Sequence, residues 1–293
     1  MAHHSSEPDI RIPAVAGSFY PESPAQLESQ VVTYLNQARV DALKETILGI
    51  IVPHAGYVYS GKVAAYGYKL LLGKKWDTVI IVGLCHRGLR KVSVYDRGAF
   101  ETPLGTVPID TDLAARIIQE GSDFCSFLPN AHEEEHSLEV QLPFLQKTLA
   151  YFKIVPVLID DPFLSAPLAE AIVKAVKASK KSVLLIASTD LTHYPGYEIA
   201  CQVDNDSIHA MLSLNPDEID KVDLEWMPKG IPNLHCTICS EAAVKTVMYA
   251  VNQLGANQSA LLNYANSGDV SIGSKSQVVG YASIALLKKE INP

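Results

Sequence analysis

The chain has 293 residues, 48% apolar and 19% charged, a balance that suits a globular protein with a sizeable core and excludes a disordered one. Its net charge of −8, with no basic stripe interleaved with aromatics, argues against a nucleic-acid or anionic-membrane surface. No apolar run reaches the ~20 residues of a spanning helix, and the opening MAHHSSEPDI lacks the basic start and apolar stretch of a secretory signal; the expected compartment is the cytoplasm. Residues 1–10 are expected to be extended or disordered.

In chain order, TILGIIV (46–52) and DTVIIVG (77–83) read as buried strands, with a helix over 61–73 between them. A short strand over 91–96 and a helix over 111–121, closed by glycine, come next. Residues 133–149 begin acidic and end basic, as a helix dipole favours, but Pro143 must kink or split that helix. Strands at 152–160 and 182–188 flank a helix over 168–180. Helices are expected within 199–213, over the charged stretch 216–226 and over 237–255, followed by strands at 259–265 and 278–287. Strands alternating with helices predict a single-domain α/β sandwich over 1–293, its central sheet mostly parallel and flanked by helices. The last two strands lack a helix between them, so the sheet should be mixed, and the uncharged run at 278–287 is a candidate for its edge.

Several of these strands end in polar residues. The first leads into His54 (PHAG), the second into Cys85 and His86 (CHRG), and the strand at 182–188 into Asp190 and His193 (STDLTH). The helix at 237–255 starts beside His235, Cys236 and Cys239. A lone histidine at a strand end is most often a hydrogen-bonded loop residue. In an open α/β sheet, however, such ends meet at one crevice, and histidines, an aspartate and a thiol gathered there suit metal or acid–base chemistry. Cys239 at a first helical turn would favour a thiolate; the alternative is a small buried thiol. Five scattered cysteines, an odd number, do not suggest a disulfide framework.

Two pattern matches are weaker. HEEEH (132–136) fits the zinc-protease form H-E-x-x-H, but that form needs both histidines on one helix interior, and His132 reads as lying before the helix. His136 can still face the crevice. CTIC (236–239) fits the redox form C-x-x-C but does not follow a strand. His3, His4 and His209 have no chemically suggestive neighbours.

Taken together, PHAGYVYSG, EHSLEVQLPF, STDLTH and CTIC resemble the Memo family, and the likeness runs from AVAGSFYP (14–21) to GYASIAL (280–286). That family is similar in fold to the class III extradiol dioxygenases, which hold Fe(II) with two histidines and a carboxylate. The resemblance implies that His54 and His86 are metal ligands and that Cys239 replaces the carboxylate. It implies Fe(II) or copper as cofactor, with zinc also open, since a thiolate is the softer ligand. Asp190 and His193 would act as acid and base or orient the ligands, and His136 would line the pocket. Bacterial relatives often accompany a radical-SAM protein, which points to a shared pathway.

Two functions follow. One is a metal-dependent redox or dioxygenase-like enzyme acting on a small molecule. The other is a non-catalytic module whose vestigial pocket recognises a peptide or small molecule. A vestigial site with neither activity is the bland alternative.

Overall fold

The computed structural model describes residues 9–41 and 43–290. Its strands are β1 (Ile10–Arg11), β2 (Thr46–Val52), β3 (Thr78–Gly83), β4 (Val92–Val94), β5 (Ala99–Thr102), β6 (Gly105–Pro108), β7 (Cys125–Ser126), β8 (Lys153–Leu158), β9 (Val183–Ser188), β10 (Gln258–Asn266) and β11 (Gly280–Lys288). Its helices are α1 (Pro24–Gln37), α2 (Tyr57–Lys69), α3 (Thr111–Glu120), α4 (Asn130–Glu133), α5 (Leu142–Thr148), α6 (Ser165–Ser179), α7 (Tyr197–Leu212), α8 (Asp217–Trp226) and α9 (Glu241–Gln253). The expectation for residues 1–8, and for His3 and His4, falls outside the described residues.

Eight strands make one sheet in the order β10-β11-β2-β9-β3-β8-β4-β7. The central strands β2, β9, β3 and β8 are parallel, whereas the β10–β11, β11–β2 and β4–β8 pairs are antiparallel. The mixed sheet with a parallel centre is the one expected. Its centre reads as unbroken apolar runs because both faces are covered, and every residue of β3 is buried. Gly49 of β2 faces Val251 of α9, while Ile50 and Val52 face Gly67 of α2. Alternate residues of a strand point to opposite faces, so α9 and α2 belong to two layers on either side of the sheet. A Cβ at Gly49 would also lie 2.8 Å from the Leu185 carbonyl oxygen, which is why a glycine stands there. A separate three-stranded sheet, β1-β5-β6, was not expected from the sequence.

Three expectations are corrected. The helix after His54 starts at Tyr57, not Gly61, so the tyrosine-rich segment is its first turn. The helix expected over 133–149 forms only in its second half: α4 already ends at Glu133, a single 3-10 turn spans Glu139–Gln141, and α5 follows with Pro143 inside its first turn, where its missing N–H costs nothing. The strand placed at 278–287 is not an edge, because β11 lies between β10 and β2. Edges are β10 and the two-residue β7.

A candidate metal centre at the strand ends

The crevice lies where β2, β3 and β9 end. Pro53 stops β2, and the next residue, His54, is buried. Its backbone N–H donates to Asp190 Oδ1 (2.8 Å), and its ring Nδ1 lies 3.2 Å from Ser188 Oγ. The Ser188 hydroxyl donates to the Ser137 carbonyl (2.5 Å) and accepts from Gln141 Nε2 (2.8 Å). Its single proton is therefore spent, and His54 Nδ1 must be the donor of the remaining bond. The proton on Nδ1 leaves the Nε2 lone pair free, and Nε2 is the atom 3.7 Å from Cys239 Sγ.

His86 is oriented the same way. Its N–H donates to Glu135 Oε2 (2.7 Å), and its Nδ1 lies 3.0 Å from Glu135 Oε1. Glu135 also accepts the Ser137 N–H (2.7 Å). Burial acts to raise this carboxyl, but His86 and the backbone N–H groups outweigh it and hold it at about 2. In return, burial lowers the His86 imidazole but Glu135 more than compensates, so it is raised. A carboxylate on the far ring nitrogen is the usual device for fixing a metal-binding histidine.

Cys239 sits just before α9, not in its first turn, and its N–H donates to the Asp190 carbonyl (3.0 Å). Burial, then Asp190, push its thiol well above the ordinary range. The thiolate expected from a helix terminus is therefore not what this protein stabilises by itself; a thiolate here needs a cation beside it. Asp190 is raised to about 7 by burial, against the opposing pull of the His54 and Ala55 N–H groups. His193 Nε2, 4.0 Å from Asp190 Oδ2, is buried without a hydrogen-bond partner. Its loop is tied down by Asp204, which accepts from Thr192 N–H (3.0 Å) and Thr192 Oγ1 (2.7 Å), and from the Tyr264 hydroxyl (2.7 Å). That carboxylate fits only because residue 280 is glycine, where a Cβ would come within 2.1 Å of it.

His136 joins the cluster more closely than the sequence suggested. Ring nitrogens of His54, His86 and His136 all lie within 4.8 Å of one another. Yet His86 and His136 are stacked, with centroids 4.3 Å apart and planes 24° from parallel, whereas His54 and His86 meet edge-on at 75°. Imidazole lone pairs lie in the ring plane, so two stacked rings do not aim at one ion. Burial, then His86, lower His136 to about 4, which keeps it neutral. Phe19 covers it at 4.5 Å, and the segment carrying Phe19 is anchored by Glu139, which accepts from the backbone N–H groups of Ala14 (2.8 Å) and Val15 (3.1 Å). Buried Arg11 pairs with the same carboxylate.

The structure thus brings together His54, His86, His136, Asp190, His193 and Cys239. It separates His132, whose Nε2 lies 2.9 Å from Ser93 Oγ in a helix that ends at Glu133, so the H-E-x-x-H pattern has no helix to work on. His235 contacts the rim through Tyr194 (5.2 Å). Glu135, Ser188, Gln141 and Asp204 were not singled out in the sequence. A signal was present for two of them: EHSLEVQ alternates polar residues with Leu138 and Val140, yet Glu135, Ser137, Glu139 and Gln141 are all buried.

A parallel-centred α/β sheet with a histidine- and thiol-lined crevice at its strand ends defines the class. The family model described as Memo-like protein matches residues 11–285, and this chain belongs to that family. It is 38% identical over 287 residues to a MEMO1 family protein of Desulfurococcus amylolyticus, covering 94% of this chain and 98% of that one. It is likewise 38% identical over 286 residues to the MEMO1 family protein MTH_45 of Methanothermobacter thermautotrophicus, covering 94% of this chain and all (100%) of the relative. Among solved structures, an uncharacterized protein, JW3007, from Escherichia coli K12 superposes with a TM-score of 0.51 at 12% identity, over 81% of this chain and 99% of that one, a likeness of fold. Among the described residues no helix is long and apolar enough to cross a membrane.

Proposed function

We propose that the crevice binds one transition-metal ion through His54 Nε2, His86 Nε2 and Cys239 Sγ, and that it serves a metal-dependent oxidation of a small molecule. The observation that carries this reading is the commitment of both Nδ1 atoms to internal partners, Ser188 and Glu135, which leaves each Nε2 free for a ligand. The spacing of one ligand pair, His54 with Cys239, suits it as well. For tetrahedral zinc, nitrogen and sulfur ligands stand about 3.6 Å apart, and His54 Nε2 and Cys239 Sγ are 3.7 Å apart.

Imidazole and thiolate together favour copper, and they also accept Fe(II) or zinc. Iron or copper would supply electron exchange with dioxygen and a bound substrate. The chain's own residues supply the rest. Ser188 and Glu135 hold the imidazoles, and Phe19 with His136 narrows the crevice. His193 offers an unpaired Nε2 to a substrate proton, with Asp190 behind it.

The test is elemental analysis of protein purified without oxygen and loaded in turn with iron, copper and zinc. The expected result is about one metal per chain, lost in His54→Ala and Cys239→Ser and kept in His136→Ala. Metal kept in Cys239→Ser and lost in His136→Ala would replace the thiol by a third histidine. No metal in the parent under any loading would leave the crevice as a recognition site. Metal-loaded protein is then assayed for oxygen consumption with catechol-like substrates.

A further inference from the structure

At the opposite end of the same parallel strands lies a second concavity. Thr78 and Lys153 open β3 and β8, and Lys181 stands just before β9. These three residues, with Val107, Pro108 and Gln146 among others, line a groove of about 800 Å³. A smaller hollow of about 300 Å³ lies alongside, reaching Lys74, Lys75 and Trp76. The two share Asp77, Leu149, Ala150 and Tyr151, so they form one continuous surface with Tyr151 between them. Because β3 is six residues long, the groove is ~20 Å from the histidine crevice.

Four lysines meet here in a chain of net charge −8. Two carboxylates oppose them, and both are engaged. Asp110 is buried and accepts from Thr78 Oγ1, from Leu113 N–H (3.2 Å) and from Lys181 Nζ, which lies 2.7 Å from each oxygen. This clamp fixes Lys181 and spends two of its three N–H bonds, leaving one. Asp77 accepts the Ser182 N–H (2.8 Å). Lys74, Lys75 and Lys153 make no ion pair among the described residues. Tyr151 is 93% exposed, so its ring offers a free face that supports no core packing. An open aromatic face among three lysines free of ion pairs, over a groove lined by apolar Val107, Pro108 and Leu149 and by polar residues in about equal share, is complementary to a flat ring that carries an anionic group.

We propose that this groove is a binding site for a small aromatic anion of nucleotide size, its ring laid on Tyr151 and its phosphate or carboxylate on Lys153 and Lys181, with Lys74 and Lys75 at the far end. It is independent of the metal centre.

Calorimetric titration of the intact protein tests it, with adenosine monophosphate and 2-naphthoate as probes, adenosine and inorganic phosphate as single-group counterparts of the first, and acetate and 2-naphthol as those of the second. Binding of adenosine monophosphate alone would assign the phosphate form, and binding of naphthoate alone the carboxylate form. In either case the single-group counterparts should bind at least about tenfold more weakly. Tyr151→Ala and Lys153→Glu alter exposed side chains, so they should leave thermal stability and metal content unchanged while each weakening the probe about tenfold. Three results would overturn the proposal: neither probe binds at millimolar concentration, a probe that binds is matched by its uncharged counterpart, or the two variants bind like the parent.

Discussion

Replacing Ser188 by alanine tests the claim that the crevice dictates the tautomer of His54. The hydroxyl is fully buried and makes three hydrogen bonds, to Ser137 O, Gln141 Nε2 and His54 Nδ1. Gln141 keeps a partner in the Pro53 carbonyl (3.0 Å), so the main orphan is the His54 Nδ1–H. An unsatisfied buried donor costs about 1–3 kcal/mol, and the lost bond to Ser137 adds about 1. A destabilisation of about 3 kcal/mol is therefore expected, read by urea denaturation of metal-free protein. The proton on Nδ1 then has nothing to hold it, and in the other tautomer Nε2–H points into the crevice where a lone pair is needed. Loss of such an orienting partner weakens metal binding about 10- to 100-fold, read by competition with a chromophoric chelator. Ser137→Ala is the control. It removes only the bond from Ser137 Oγ to Leu84 O, so about 1 kcal/mol should go while metal affinity stays. If Ser188→Ala lowers stability as expected but binds metal like the parent, the tautomer argument is wrong.

Gly280→Ala would drive a methyl group into Asp204, which is held on Thr192 and Tyr264; a loss of about 3 kcal/mol is expected by denaturation, and an unchanged midpoint would mean the carboxylate swings aside freely. Arg11→Met leaves Glu139 buried with only Tyr20 and two N–H groups as partners, so stability should drop by about 3 kcal/mol, with faster amide exchange at Ala14 and Val15. A drop below about 1 kcal/mol would show that those partners suffice. His132 is lowered by burial to about 3 from an ordinary 6.5. It is neutral in both states at high pH, so its contribution is complete above about pH 6.5 and is lost as pH falls toward 3, with an upper bound on the order of 5 kcal/mol. His132→Gln should flatten that acid limb; an unchanged slope would place the sensitive group elsewhere.

The sheet was legible because a fully buried strand advertises itself. TILGIIV and VLLIAS are apolar on both faces, and the strands found at 46–52 and 183–188 match the runs almost residue for residue. Strand ends bearing His54, His86 and Asp190 were legible for the same reason, since a buried run has to stop somewhere. The segment 132–141 was not. Three successive glutamates look like a solvated first turn, and only tertiary contact shows that Glu135 turns inward to His86 while Glu134 pairs with Arg87 at the surface. Position in a helix misled similarly at Cys239. The sequence pattern predicts a helix from residue 237, but the chain between Cys236 and Ser240 is held by Asp190 and Thr189, so α9 begins at Glu241. The order of strands was also out of reach, because nothing local in β11 states that β10 will cover its outer edge.

That order has a consequence for how the chain is made. The strands leading to His54 and His86 are successive in the sequence, yet β9 lies between them and pairs with both. As the chain emerges in synthesis, N-terminal part first, the two histidines have no common support until residue 188 is available. Cys239 comes later, and β11, which flanks β2 and whose Gly280 braces the His193 loop, comes almost last. The centre of the sheet is therefore closed by pairings between residues more than a hundred positions apart, the kind of contact that slows folding. A nascent or truncated chain carries the histidines without the crevice, so the site comes into being only with the finished protein.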